Sequence, residues 1–199
     1  MTTGQQGGGT TSEPLRCGCG ASTNPQLEVA LREAIAAARG ELGGGQADLG
    51  VVFVSAAHGG SIRPALELAA DLVPARHVIG TTAEGVLAGD REYEAGPAVV
   101  VWLARLPGAW LEPVSLEYMQ TPEGGSFAGW PERLSGEWPA NAALVLLADP
   151  FSFPVDAFVK RMEEDHPGVP IVGGMASGGG QPGTNTLVAG PRTYDSGAV

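Results

Sequence analysis

Two stretches of this chain have the same order of apolar and glycine-containing segments, 93 residues apart. A shift of 93 places residues 51–54 on residues 144–147, both apolar, and residues 78–85 on residues 171–178, where the Ala-x-Gly pattern is kept. No gap is needed across the intervening helical segment. Chance can match one apolar run, but it rarely matches a strand, a helix, a second strand and a loop in register. The sequence therefore predicts two copies of one β-α-β-loop unit.

The spacing of apolar residues within each copy supports this interpretation. β-branched runs without polar alternation are typical of strands covered on both faces, and apolar residues every three or four positions are typical of helices. The predicted strands cover residues 49–55, 77–79, 97–103, 110–118, 142–148 and 169–172, and the predicted helices cover residues 25–38, 61–72 and 155–162. The predicted fold class is α/β, in which the duplicated β-α-β-loop units form a largely buried, mixed sheet flanked by helices.

The predicted domain organisation follows from the repeats. Residues 1–23 are mostly Gly, Thr, Gln and Ser, so we expect a disordered leader there. Residues 24–199 form one domain, with repeat 1 at about 49–104 and repeat 2 at about 142–199. The connection, 105–141, is rich in Gly and Pro, and we expect at most a short helix in it.

The last four residues resemble the start of the third strand of repeat 1. Residues 196–199 are Ser-Gly-Ala-Val, and residues 96–99 are Gly-Pro-Ala-Val. A strand of three or four residues does not complete its ladder or bury its row of side chains. We therefore expect the chain to be a fragment or a natural truncation. A short edge strand that ends there is the alternative.

The charge balance indicates which partners the chain does not bind. It has 11 basic and 22 acidic residues, a formal net charge of −11. Nucleic acids and anionic membrane surfaces are bound by clustered Lys and Arg, so neither is an expected partner. The acidic surface is also what keeps such a domain in solution.

The cysteines and the hydropathy pattern predict a cytoplasmic location. No run approaches the roughly 20 apolar residues of a membrane span, and residues 1–11 have no secretory signal pattern. Cys17 and Cys19 are the only cysteines. They form neither a disulfide framework nor, without a further Cys or a nearby His, a zinc site. We expect two inert, exposed thiols and no cofactor.

The candidate ligand-binding residues follow the predicted strands. In open α/β sheets ligands gather beyond the carboxyl ends of strands, and glycine allows them to approach the backbone. The candidates are His58, Gly59, Gly80, Thr81, Thr82, Glu84, Asp149, Gly174, Met175 and Ser177. The alternatives are that the glycines only serve turns and packing, that Asp149 caps the following helix, and that His58 caps rather than contacts a ligand.

No pattern for a catalytic site is present. The sequence lacks G-x-x-x-x-G-K-[ST], the G-x-G-x-x-G spacing and the G-x-S-x-G elbow, and its three His have no metal-ligand spacing. An enzyme would have to use His58, Asp149 and Glu84 as acid and base groups, for instance in hydrolysis. We expect a binding module and not an enzyme. A protein-interaction scaffold without a ligand is a further alternative.

The two glycine-containing loops carry a resemblance to a known family. Residues 78–85, Val-Ile-Gly-Thr-Thr-Ala-Glu-Gly, and 169–177, Val-Pro-Ile-Val-Gly-Gly-Met-Ala-Ser, are separated by the strand end Leu-Val-Leu-Leu-Ala-Asp-Pro-Phe at 144–151. Together they resemble the N-terminal half of FIST domains, over about residues 25–199. The C-terminal FIST domain and an output domain are not in the sequence.

The resemblance implies a sensory function. FIST domains are sensory modules of signalling proteins, so it implies binding of a small ligand, an amino acid or a related metabolite, coupled to a signalling partner. It brings no set of catalytic residues, so the candidate site depends on the loop argument alone.

Overall fold

The computed structural model describes residues 14–122 and 124–199, without the side chains at 60, 61 and 65. In this part of the chain the elements are β1 (Arg16–Ser22), α1 (Leu27–Leu42), β2 (Ala47–Ser55), α2 (Ile62–Leu72), β3 (Ala75–Ala83), β4 (Val86–Ala88), β5 (Arg91–Tyr93), β6 (Val99–Arg105), β7 (Glu117–Thr121), β8 (Gly124–Ala128), β9 (Leu144–Ala148), α3 (Val155–Asp165), β10 (Ile171–Met175), β11 (Leu187–Ala189) and β12 (Arg192–Tyr194). None of its helices has the length and apolar character needed to cross a membrane.

A mixed, six-stranded sheet forms the centre of the fold. Its strand order is β1-β6-β2-β3-β11-β12. Only β2 and β3 are parallel, and every other neighbouring pair is antiparallel. The predicted α/β class with a mixed sheet is confirmed.

The second β-α-β unit forms a separate parallel pair, β9 and β10. It has the topology of the β2-α2-β3 unit, but its register differs by one residue from the gapless shift of 93. In β2 and β3, Val52 is paired with Gly80, whereas in β9 and β10 Leu146 is paired with Gly173. The first strands are therefore 94 residues apart and the second strands 93, so the second unit is one residue shorter between its strands.

The fold has four layers: the pair of helices α1 and α2, the six-stranded sheet, the β9–β10 pair and helix α3. Helices α1 and α2 cover one face of the six-stranded sheet, β9 packs on the other face, and α3 covers the far side of β9. The first core includes Leu31, Leu66, Val52 and Val101. The second includes Val51, Ile79 and Leu147, and the third includes Leu146, Phe158 and Met162.

Strand β1 contradicts the predicted disordered leader. All seven of its residues pair with β6, so the prediction is wrong for residues 16–22, and residues 1–13 lie outside the described part. Two glycines of β1 allow α1 to lie directly on it. A Cβ built at Gly18 would be 2.2 Å from the carbonyl oxygen of Ala38, and one at Gly20 would be 2.1 Å from that of Ala34. The glycines of residues 16–22 have a low strand propensity, and the packing of α1 on β1 stabilises the strand in spite of it.

The two cysteines lie on β1 rather than in a loop. Cys17 is exposed and Cys19 is half-buried. Burial, together with the nearby Glu41 carboxylate, raises the pKa of the Cys19 thiol. A raised pKa lowers the thiolate fraction at neutral pH, which supports the prediction of an inert thiol at Cys19.

The predicted connection contains a hairpin that the sequence analysis missed. Strands β7 and β8 pair along their whole length. Of the strand predicted at 110–118, only Glu117 and Tyr118 belong to β7, and Leu116 forms a single bridge. The ring of Phe127 on β8 lies 5.2 Å from that of Phe153 and 5.1 Å from that of Phe158. This aromatic packing holds a glycine-rich segment in a strand.

Candidate functional site

The ends of β3 and β10 meet at the carboxyl edge of the central sheet. The backbone N–H of Glu84 donates to Ser177 Oγ at 2.9 Å, and the Ser177 N–H donates to the Thr82 carbonyl oxygen at 3.2 Å. Glu84 is exposed and Ser177 is half-buried. The structure thus brings together one predicted residue from each repeat, at equivalent positions.

Three other predicted residues lie inside β3, not in a loop. Thr81 and Thr82 are 2% and 3% exposed. The Thr82 Oγ1 accepts the N–H of Thr186 at 3.1 Å. Gly80 allows close strand spacing, since a Cβ there would lie 2.4 Å from the Val52 carbonyl oxygen. The loop predicted from Gly80 therefore begins later, and the packing interpretation of this glycine is the one that its contacts support.

Asp149 organises the turn after β9. Its side chain is buried, and its carboxylate accepts hydrogen bonds from the Phe151 N–H at 3.2 Å, the Ser152 hydroxyl at 2.7 Å and the Asn185 Nδ2 at 3.0 Å. Because α3 begins six residues later, at Val155, Asp149 closes the turn rather than capping the helix. Its hydrogen-bonding capacity is used within the chain.

Asn185 and Thr186 lie at this edge of the candidate site and were not among the predicted residues. Asn185 is 1% exposed, and its Oδ1 accepts the Gly179 N–H at 3.0 Å. With its Nδ2 on Asp149 and with Thr186 on Thr82, this segment links the ends of β9 and β3. The signal that could have indicated it is the polar run Thr-Asn-Thr directly before the apolar residues of β11.

His58 and Gly59 lie in a short 3-10 turn, Ala56–Ser61, after β2. This turn is beside the loop that follows β10, because a Cβ built at Gly178 would lie 2.3 Å from that of Ala56. Gly59 is exposed and has a φ of 71° and a ψ of −155°, a conformation that favours glycine. The turn therefore belongs to the same edge of the sheet as Glu84 and Ser177.

The His58 ring is half-buried without hydrogen-bond partners. Within the described residues neither ring nitrogen has one, although both atoms are buried. Burial lowers the pKa of His58, and the nearby backbone carbonyl of Pro25, two residues before α1, only partly opposes this. The direction of this shift favours the neutral imidazole, which has one donor and one acceptor nitrogen.

The last two predicted residues, Gly174 and Met175, lie on β10. Both are exposed, Met175 by 36%. They are part of the strand and not of the predicted loop, which begins at Ala176. Met175 is two residues from Ser177, so it lies at the rim of the contact between the repeats, whereas Gly174 is further from it.

A groove with a volume of about 1210 Å³ lies elsewhere, between hairpin β7–β8 and α3. None of the ten predicted residues lines it. Its wall includes the Trp138 and His166 rings, which stack with centroids 4.2 Å apart. We place the candidate site at the Glu84–Ser177 contact, because there equivalent loops of both repeats supply polar groups. The groove has charged residues in its wall, but none of its lining residues belongs to repeat 1.

Comparison with known proteins gives the family. Residues 48–199 match the family model of the FIST N domain. The chain is 36% identical to the uncharacterized protein Rv0628c of Mycobacterium tuberculosis and 32% identical to the uncharacterized protein Mb0898c of Mycobacterium bovis, each over 93% of this chain. It spans about half the length of these relatives, 47% and 46%. The chain therefore belongs to the FIST N domain family, a family of small-ligand sensory modules.

Proposed function

We propose that this chain is a sensory domain that binds an amino acid or a related metabolite at the carboxyl ends of β2, β3 and β10, and passes this signal to a signalling partner. The observation that carries the proposal is the hydrogen bond between Glu84 and Ser177, which joins equivalent loops of the two repeats. A ligand at this contact touches both repeats, so its binding changes how firmly they are held together.

The groups at this edge suit a ligand that carries both an ammonium and a carboxylate group. The Glu84 side chain is exposed, and among the described residues its carboxylate takes part in no hydrogen bond or ion pair, so it is available to an ammonium group. The Ser177 hydroxyl accepts the Glu84 N–H and keeps its own O–H as a donor for a carboxylate or carbonyl oxygen, whereas both His58 ring nitrogens are buried.

We propose binding rather than catalysis. A hydrolase built from His58, Asp149 and Glu84 would need Asp149 free to orient or accept a proton. Its carboxylate is buried and accepts three hydrogen bonds from within the chain. This supports a structural role for Asp149. Within the described residues no carboxylate is hydrogen-bonded to the His58 ring to orient it, as a general base would need.

A thermal-shift screen of the purified chain against the amino acids and common metabolites tests the proposal. A ligand that binds only the native state adds about 2.7 kcal/mol of stability at a hundredfold excess over its dissociation constant. We expect at least one reproducible increase in Tm, which the Glu84→Gln variant loses.

The matched control is Glu92→Gln, which removes the same charge at an exposed position on β5. It is expected to keep the response. A cooperative melt that no compound shifts would overturn sensing by this chain and favour the scaffold alternative. Turnover of an ester or amide substrate that His58→Ala abolishes would favour the enzyme alternative.

A further inference from the structure

A small pocket lies at the amino end of β3, whereas Glu84 of the candidate site follows the carboxyl end of the same strand. The pocket has a volume of about 370 Å³. Three segments that are distant in the sequence line it: the first residues of β3, residues 113–115, and the β11–β12 hairpin. His77 and Glu84 are seven residues apart along a nearly extended chain, which is about 23 Å, so the pocket is separate from the candidate site.

The charge of this pocket is opposite to that of the chain as a whole. The chain has two acidic residues for every basic one. Arg76, His77 and Arg192 nevertheless line the pocket, and within the described residues no Asp or Glu does. Charges further away than about 8 Å are largely screened at physiological ionic strength. The local set of charges, and not the net charge of −11, therefore determines which ions the pocket attracts.

The carboxylates that adjoin the lining residues leave most of this positive charge unopposed. Glu112 and Asp195 are neighbours of lining residues in the sequence, and each is paired with an arginine outside the pocket. Asp48 contacts Arg76, but the closest approach, from Nη1 to Oδ1, is 3.6 Å, which is longer than a hydrogen bond. The other Asp48 oxygen accepts the Leu106 N–H at 2.7 Å. The Arg76 donors therefore remain available to a ligand.

The pocket also contains hydrogen-bond donors that the chain does not use. Within the described residues, no hydrogen bond or ion pair engages the side chains of His77, Ser115, Arg192 and Tyr194. A guanidinium group has five N–H donors in a planar fork that matches the oxygens of phosphate and carboxylate groups. The two hydroxyls and the imidazole add further donors. Unused donors from three segments therefore meet at one cavity.

The fold itself does not require the basic pair at the start of β3. The residues of the second unit at the positions equivalent to Arg76 and His77 are Val169 and Pro170. Strand β10 follows them directly and forms the same kind of parallel pair with β9 that β3 forms with β2. Parallel pairing therefore does not depend on an arginine and a histidine at these positions, which favours a binding role for both.

We propose that this pocket binds the phosphate group of a small phosphorylated metabolite. A phosphate monoester carries a charge of about −1.5 to −2 at pH 7 and three strong acceptor oxygens, so it matches two guanidinium groups and the donors beside them. A carboxylate has a single charge and two oxygens. Val114 and Pro191 give the wall an apolar part for the rest of the molecule. This inference does not depend on the ligand proposed for the carboxyl end of β3.

Phenyl phosphate is the probe, and benzoate is the matched compound with a carboxylate on the same ring. Each is titrated into the full chain at constant ionic strength and about pH 7.5, where the phosphate is a dianion, while backbone amide signals are followed by NMR. We expect phenyl phosphate to shift the amide signals of His77, Gly190 and Arg192 in a saturable way. We expect its affinity to be at least about tenfold higher than that of benzoate, because charge-assisted hydrogen bonds strengthen with charge.

Two arginine variants with the same change of net charge test the location. Arg192→Gln, at an exposed position on β12, is expected to leave Tm unchanged and to weaken phenyl phosphate binding by about tenfold or more. Arg91→Gln, at an exposed position on β5, is the control and is expected to keep the affinity.

Four results would overturn the proposal. The first is no saturable shift at the pocket with phenyl phosphate. The second is an equal affinity for benzoate, which would mean that the pocket does not select phosphate. The third is an equal loss of affinity in Arg192→Gln and Arg91→Gln, which would mean that only net charge matters. The fourth is a set of shifts confined to Glu84 and Ser177, which would place the phosphate at the candidate site. None of these results tests amino-acid binding there, so the two proposals can fail separately.

Discussion

Glu84 and Ser177, 93 residues apart in the chain, are joined by a hydrogen bond of 2.9 Å from the backbone N–H of Glu84 to Ser177 Oγ. Each follows the second strand of its own β-α-β unit. The two strand ends therefore meet where the repeats face each other, and a serine on one side receives the N–H on the other. A site at this position is made by both repeats, and neither repeat contains it alone.

Replacing Ser177 by Ala should destabilise the fold modestly. It removes the acceptor of the Glu84 N–H at a partly exposed position, so we expect a loss of about 1 kcal/mol in the free energy of unfolding. Urea denaturation measures it. Ser126→Ala, at an exposed position on β8, is the control and should change stability by less than about 0.5 kcal/mol. Equal effects would mean that the contact between the repeats does not contribute to stability.

Replacing Asp149 by Ala should be among the most damaging single changes. It leaves the buried Asn185 amide and two further donors without their acceptor. We expect a loss of about 3 kcal/mol, because buried unpaired donors retain their full desolvation cost. Denaturation midpoints compare it with Glu163→Ala, an exposed carboxylate on α3. A loss no larger than that of the control would show that the turn does not need this network.

Alanine substitutions at two glycines, one on β1 and one on α1, should change the stability of the fold in opposite directions. Gly20→Ala places a Cβ against the Ala34 carbonyl oxygen and should cost about 1–3 kcal/mol. Gly40→Ala, on the exposed side of α1 with no atom within 4 Å, should gain up to about 1 kcal/mol from helix propensity. Thermal unfolding of both variants measures the difference. If both stabilise the protein, β1 does not pack on α1 in solution.

The His58 ring predicts a pH dependence of stability. Burial lowers its pKa below the usual 6.5, so in the acid range the unfolded chain binds a proton more readily than the folded chain. The resulting stabilisation is complete above the unfolded pKa and is lost as the pH falls through the folded pKa. Between about pH 7.5 and about pH 5.5 the wild type should therefore lose more Tm than His58→Gln. If the Tm of the wild type and the Tm of His58→Gln fall by the same amount, the His58 ring is solvated in the folded protein.

The 93-residue spacing predicted which segments of the two repeats correspond, but not the exact register of their first strands. It predicted the duplicated units correctly, but a gapless shift equates Phe53 with Leu146. The structure places Val52 and Leu146 at equivalent positions, both facing helices. Because successive residues of a strand point to opposite faces, an error of one residue exchanges the two faces. The matched segments 51–54 and 144–147 are apolar at every position, so they had no signal that distinguishes the two registers.

The candidate site was only partly predictable for a similar reason. Glu84 and Ser177 were found because they follow strands whose glycines repeat. Asn185 was missed because its two partners, Asp149 and the Gly179 N–H, are brought to it by tertiary folding. Gly80 was placed in a loop because glycine has low strand propensity, and the close approach of Val52 that requires it is a tertiary contact.

The sequence by itself determined the α/β class, the two β-α-β units and the strand ends that carry polar residues, because apolar periodicity and glycine positions are local properties. Only the tertiary structure decided that β1 joins the sheet, that the second unit forms its own strand pair, and that Glu84 meets Ser177. These depend on which distant segments bury one another's apolar surface and complete one another's hydrogen bonds. Such long-range choices leave no local pattern in the residues that make them.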